Sequence, residues 1–313
     1  MIIQQILNSL SLGSMYALIA IGYTMVYGVL RLINFAHGDI MMVGAFSTFV
    51  FYPIFEKLPN CSLCGSIGIG FIQNPFLLAV MMGIFVASLV GVFTYKIAYK
   101  PLLDKNAPKI SLLITAIGVS FFLENLFNML FGGVPQAFRY PQIFDKTIHI
   151  LGGVTTFSSI IIGVFTIFVL GGVLWFLNKT KYGLAIKAIA FDIDTIKLMG
   201  INADLLIMIV FIIGSALASL GGVFYAISYP SIDPLMGVLV GLKAFAAAVL
   251  GGIGSVGGAA IGGFILGFSE IFIVAFFPDI AGYKDAIAFV FLILILLFRP
   301  TGIMGIDFEK KRF

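Results

Sequence analysis

Three ionisable side chains, Glu124, Lys243 and Glu270, lie inside long apolar runs of this sequence, and three more polar residues, Asn34, His37 and Asp39, lie at the join between two such runs. A charge held away from water is costly, so residues of this kind either mark a path for a solute or ion or pair with one another internally. Both readings stay open on residue type alone. Glu124 is beside Asn125 and one helical turn from Asn128, and Asp39 is close enough to His37 to fix its ring. A lone histidine such as His37 is more often structural than a ligand or proton relay. The stretch from Asn34 to Asp39 has a further claim, because an interrupted helix offers unpaired backbone dipoles to a zwitterion.

Other chemistry is weakly signalled. Cys61 and Cys64 spell C-x-x-C, but no βαβ pattern surrounds them and no further metal ligands lie nearby. Gly252, Gly254 and Gly257 spell G-x-G-x-x-G, yet they follow an apolar run of helical length instead of a strand, which argues against a dinucleotide site. The sequence contains no G-x-x-x-x-G-K-[ST] to cradle nucleotide phosphates, and no H-E-x-x-H or G-x-S-x-G of an intramembrane enzyme. No cofactor or metal is expected on the chain itself.

The elements that position these residues must live in lipid. Of 313 residues, 61% are hydrophobic and only 10% charged, with a mean hydropathy of +1.15, outside the usage of soluble domains. Backbone amides find no water in a bilayer, so long apolar runs cross as helices, whereas barrel strands would alternate. Runs long enough to cross fall near residues 6–29, 38–55, 75–99, 111–131, 159–177, 205–227, 237–250, 257–277 and 286–298, predicting an all-α polytopic bundle of about nine spans, within a range of eight to ten. One membrane domain covers residues 1–313. The joins 31–39 and 251–258 have little loop character, so each is an expected break inside a bent helix. No charged residue precedes Arg31, so the first run reads as a retained span and not as a signal peptide.

Lysines and arginines sort into alternate loops: Lys96, Lys100, Lys105 and Lys109 in one, Lys179, Lys181, Lys187 and Lys197 in another, and Arg299, Lys310, Lys311 and Arg312 at the end. The positive-inside rule makes these segments cytoplasmic, with the N-terminus outside and the C-terminus inside. Orientation thereby accounts for the net charge of +4 without a nucleic-acid partner. Cys61 and Cys64 then face the side where a disulfide can form.

Within the cytoplasmic stretch 181–202, Ile186, Ile189, Ile193 and Ile196 recur at spacings of three and four and lay an apolar stripe along a short helix. Gly200, followed by Asn202, supplies the left-handed residue that closes such a helix. An amphipathic helix between two spans either docks in the groove of a partner or lies on the membrane surface. Gly254, Gly258 and Gly262, with Ala259, Gly263 and Gly267, form two ridges of small residues for close helix contact, within the subunit in preference to across a dimer.

The stretch from Gly13 to Ala45, GSMYALIAIGYTMVYGVLRLINFAHGDIMMVGA, resembles the N-terminal signature of LivH-type permeases of branched-chain amino acid ABC transporters. Residues 188–202, with their Met-Gly-Ile-Asn ending, resemble the coupling loop of that family. GSALASLGGVFY at 214–225, and 244–267 followed by Arg299-Pro-Thr-Gly, resemble its later spans. The resemblance implies an importer of the bacterial cytoplasmic membrane, with a second LivM-like permease, two cytoplasmic subunits that hold ATP and magnesium, and an extracytoplasmic solute-binding protein. It further implies that Lys187, Ala188, Ile189, Asp192, Ile193, Ile196, Lys197, Gly200, Ile201 and Asn202 couple the chain to the ATPase. Leucine, isoleucine and valine are the expected solutes, with urea or short amides as the alternative in the same family. A secondary transporter that uses Glu124 directly is the rival from another class.

Overall fold

The computed structural model describes residues 2–57, 74–105, 107–150, 153–190, 196, 198–299 and 301–305. Cys61, Cys64, Asp192, Ile193, Asp194 and Lys197 lie outside the described residues.

The apolar runs form α1 (Ile2–Leu30), α2 (Ala36–Glu56), α3 (Pro75–Asp104), α4 (Lys109–Phe131), α5 (Phe157–Lys179), α6 (Lys181–Ile189), α7 (Ala203–Ser228), α8 (Met236–Gly251), α9 (Val256–Phe276) and α10 (Lys284–Phe298). Eight described helices are long and apolar enough to cross a membrane. The ninth expected span, 237–250, is α8; its 16 residues reach only about 24 Å, short of a ~30 Å hydrocarbon core. Helix starts follow local chemistry. Asn74, Thr180, Asn202 and Ser255 each accept a backbone N–H from the first turn of α3, α6, α7 and α9, satisfying donors that a helix start otherwise leaves unpaired.

Helix α1 is the axis of the bundle, with 89% of an 18-residue apolar window along it buried. Close approach makes this possible: Gly263 and Gly267 of α9 lie against Ala17 and Gly13, and Gly221 of α7 lies against Ile19. The other small ridge meets α8, where Gly258 and Gly262 pack on Gly251 and Ala247. Gly254 was expected on this ridge and is not. Helix α9 begins only at Val256, and Gly254 sits in the preceding turn at φ +94, in the left-handed region a glycine adopts without strain. At the periphery, α4 and α10 bury only 17% and 6% of such windows, leaving apolar faces for lipid or another subunit.

Two small antiparallel sheets supplement the helices. β1 (Gln136–Ala137) pairs with β4 (Ser231–Ile232), and β2 (Thr147–Ile150) pairs with β3 (Gly153–Thr156). Strand β3 leads directly into α5, whose 23 residues separate it from α6, so sheets and α6 mark opposite ends of the bundle.

Candidate functional site

The polar residues singled out from the sequence fall into three separate groups. Lys243 and Glu270 come together in a buried knot. Lys243 Nζ is 3.1 Å from Glu270 Oε1 and 2.5 Å from Asp285 Oδ1, while Lys284 Nζ is 3.7 Å from Glu270 Oε1. Tyr16 donates its hydroxyl to Glu270 Oε2 at 2.8 Å and accepts from Lys243 at 3.3 Å. Two cations and two carboxylates thus neutralise one another where α1, α8, α9 and α10 meet. The chemistry of this group is internal pairing, and it holds the bundle together.

Asp39 and Glu124 form the second group. Asp39 is buried, and its Oδ2 accepts the hydroxyl of Ser120 on α4; it does not reach across to orient His37, its sequence neighbour. Its Oδ1 has no hydrogen-bond partner among the described residues. Glu124 lies one turn beyond Ser120, and no hydrogen bond or ion pair joins it to another described side chain; Asn125 turns away to the Phe121 carbonyl. Ser120 and Glu124 line a cavity of about 570 Å³. Phe35 and Leu235, the residues before α2 and α8, line it too, so two helices begin at this cavity. They converge because Gly38 sits against Gly237 and Gly241; a Cβ on Gly38 would lie 2.9 Å from the Gly241 Cα.

The third group joins the break before α2 to the end of the bundle that carries α6. Arg31 takes a left-handed backbone at φ +52, and its guanidinium donates to the Ala190 carbonyl, the residue that ends α6. Asn34 accepts the hydroxyl of Tyr99 at 2.9 Å. His37 packs edge-on to Tyr23, ring centroids 4.6 Å apart, and against Gly22; its Nε2 and the Asn34 Nδ2 are buried without partners among the described residues. Tyr99 ends a π-helical stretch of α3, Thr94–Tyr99, a rare geometry found often at functional sites. From the same stretch Tyr95 donates to Asp204 at 3.0 Å, and Lys100 pairs with Asp204 at 2.5 Å. Asp204 belongs to the first turn of α7.

The segment between α5 and α7 is thereby held at three points. Gly183 packs its α-carbon onto the backbone of Leu177. Ile186, Ile189 and Ile196 are buried, while Lys187 bonds Asn178. Gly200 has φ +77, and the Ile201 N–H reaches the Ile196 carbonyl at 3.3 Å, the closing bond of a Schellman turn. Asn202 then caps α7, accepting from Leu205 N–H at 3.1 Å. Between α6, α1, α5 and the α8–α9 turn lies a second cavity of about 410 Å³, lined by Val29, Ile186, Lys187, Ala190 and Gly254 among others.

Reading residues in sequence order missed Tyr16, Arg31, Tyr95, Tyr99, Lys100, Ser120, Asp204 and Asp285. Arg31 carried a usable signal, being the first charge of the chain at an interrupted helix. The tyrosines gave none, because aromatic residues inside spans are ordinary core.

Helix starts that meet inside a bundle of spans, beside a cavity bearing a carboxylate, are the construction of a membrane permease. Residues 5–296 match the family described as "Branched-chain amino acid transport system / permease component", and the chain belongs to that family. It is 40% identical over 307 residues to the high-affinity branched-chain amino acid transport system permease protein BraD of Pseudomonas aeruginosa, covering 97% of this chain and 95% of the relative. It is 37% identical to the LivH permease protein of Escherichia coli K12 over the same shares. Against the probable LivH of Methanocaldococcus jannaschii it is 28% identical, over 96% and 91% of the two chains. No solved structure matches.

Proposed function

We propose that this chain is the membrane-spanning permease subunit of an ATP-driven importer of branched-chain amino acids in the cytoplasmic membrane. The relatives with 97% coverage are named for branched-chain amino acid transport, which supports leucine, isoleucine and valine as solutes. A second LivM-like permease, two ATP-binding subunits that hold ATP and magnesium, and an extracytoplasmic solute-binding protein complete the machine.

One observation carries the mechanism: the end of α6 is bonded through Arg31 to the break before α2. In this reading the buried isoleucines fasten the segment to the bundle, while its exposed Tyr182, Leu184, Leu198 and Met199, with the residues up to Asn202, receive the movement of the ATPases by helix-in-groove docking. Arg31 transmits it to the Asn34–Tyr99 contact and the start of α2, while Asp204, held by Tyr95 and Lys100, anchors the far end on α3. The cavity beneath α6 leaves room for the helix to shift. Opening and closing at the two ends of the bundle then alternate.

The test is reconstitution of the complete assembly in vesicles. Leucine accumulation that requires both ATP inside and binding protein outside supports the reading. Accumulation by this chain alone, driven by an ion gradient, would overturn it and favour a secondary transporter.

A further inference from the structure

Resting on that reading, we propose that the cavity at the starts of α2 and α8 is a solute site in the translocation path, with Glu124 receiving the ammonium group of the amino acid and the surrounding apolar wall receiving its aliphatic side chain. Its volume of about 570 Å³ falls inside the roughly 300–1,000 Å³ span of small-molecule sites. Its composition is that of a site for one charge on an apolar body. Ile117, Phe121, Val238 and Leu239 make the wall, and among the described residues the only polar side chains on it are Ser120 and Glu124.

The electrostatics are one-signed. Among the described residues no lysine, arginine or histidine lines the cavity, and Glu124 has no ion-pair partner. Directly behind Ser120, Asp39 is 1% exposed with one oxygen unpartnered. A buried carboxylate without a cation or a full set of hydrogen bonds is destabilising. This bundle does pair its other buried acid, Glu270, with two lysines, so the omission at Asp39 and Glu124 is local. A solute ammonium beside Glu124 supplies the missing positive charge to both carboxylates, reaching Asp39 through the Ser120 hydroxyl. Phe121, Leu235 and Leu239 are at least half exposed, and α4 is largely unburied, so the cavity opens sideways at the periphery of the bundle.

The experiment uses the complete assembly with Leu239→Cys in a Cys61→Ser, Cys64→Ser background. Labelling by a maleimide is followed with and without leucine, beside ATP-driven leucine uptake and co-purification of the partner subunits. The expected result is that leucine slows labelling, whereas 4-methylpentanoate, which lacks the amine, does not. Glu124→Gln is expected to remove that protection and lower uptake roughly ten- to a hundredfold, the range for one lost charged hydrogen bond, with partner subunits still co-purifying; Glu124→Asp restores part of both. Labelling indifferent to leucine in an assembly that transports it, or Glu124→Gln with undiminished uptake, would overturn the site and leave the permease function standing. An assembly with no ATP-driven leucine uptake at all would overturn the function, and the site with it.

Discussion

Two groups of acids, each built around one buried carboxylate, lie in the same bundle and are treated in opposite ways. Glu270 is enclosed by Tyr16, Lys243 and Lys284, and Asp285 closes the circuit. Asp39 has a single hydroxyl on one oxygen, and Glu124 beside it faces a cavity. Lipid provides no water to stabilise either, so the difference separates charge used as a fastening from charge kept for a visitor. The first group belongs to α1, α8, α9 and α10, which pack through glycine and alanine; the second belongs to the places where α2 and α8 begin.

Four substitutions test that contrast. Glu270→Ala has the largest expected effect on stability. It leaves Lys243 buried and paired only with the half-exposed Asp285, and should cost about 3–5 kcal/mol, read as a lower unfolding midpoint of the purified assembly. Joint replacement of Lys243 and Glu270 by leucine should recover most of the loss. Without such recovery, the knot would not be a self-contained fastening. Arg31→Ala removes a charged hydrogen bond at the Ala190 carbonyl worth about 1.5–3 kcal/mol. Its expected signature is a several-fold drop in uptake per ATP hydrolysed, with a fall in the midpoint smaller than that of Glu270→Ala. Asp39→Asn is expected to leave the midpoint within about 1 kcal/mol and to reduce uptake roughly tenfold, an amount equivalent to ~1.4 kcal/mol; a large loss of stability instead would make Asp39 a second fastening. Tyr16→Phe removes the bond to the Glu270 carboxylate, worth about 1.5–3 kcal/mol, and the one from Lys243; it should be mildest on transport, with uptake retained.

The parts of this molecule legible in its sequence are those written in contiguous residues. Apolar runs located each of the eight described span-length helices, and also the short run at 237–250 that is α8. Gly200, followed by Asn202, announced the end of the segment between α5 and α7 because a left-handed turn is a local event. The breaks at 31–35 and 252–255 were visible as joins with little loop character. What stayed hidden was pairing. Tyr16 and Glu270 are 254 residues apart, and Arg31 and Ala190 are 159 apart; no periodicity encodes a partner on another helix. Lys243 and Glu270 were rightly noticed as unusual, yet only tertiary packing separates their mutual neutralisation from the open valence of Glu124. Gly254 failed as a ridge residue for a related reason: four-residue spacing says nothing about where a helix starts.

The π-helical stretch Thr94–Tyr99 sets the rotational phase of everything after it in α3. Six residues there complete a wider turn than α-helical residues would, so Tyr95 and Tyr99 reach Asp204 and Asn34 on two different neighbours. Forced into an ordinary α ladder at the same length, the stretch would carry Lys100 round by most of one residue's ~100° step about the axis. The helix would remain intact and equally apolar, but its far end would swing away from α7, as a key turned out of phase fails to lift the pins.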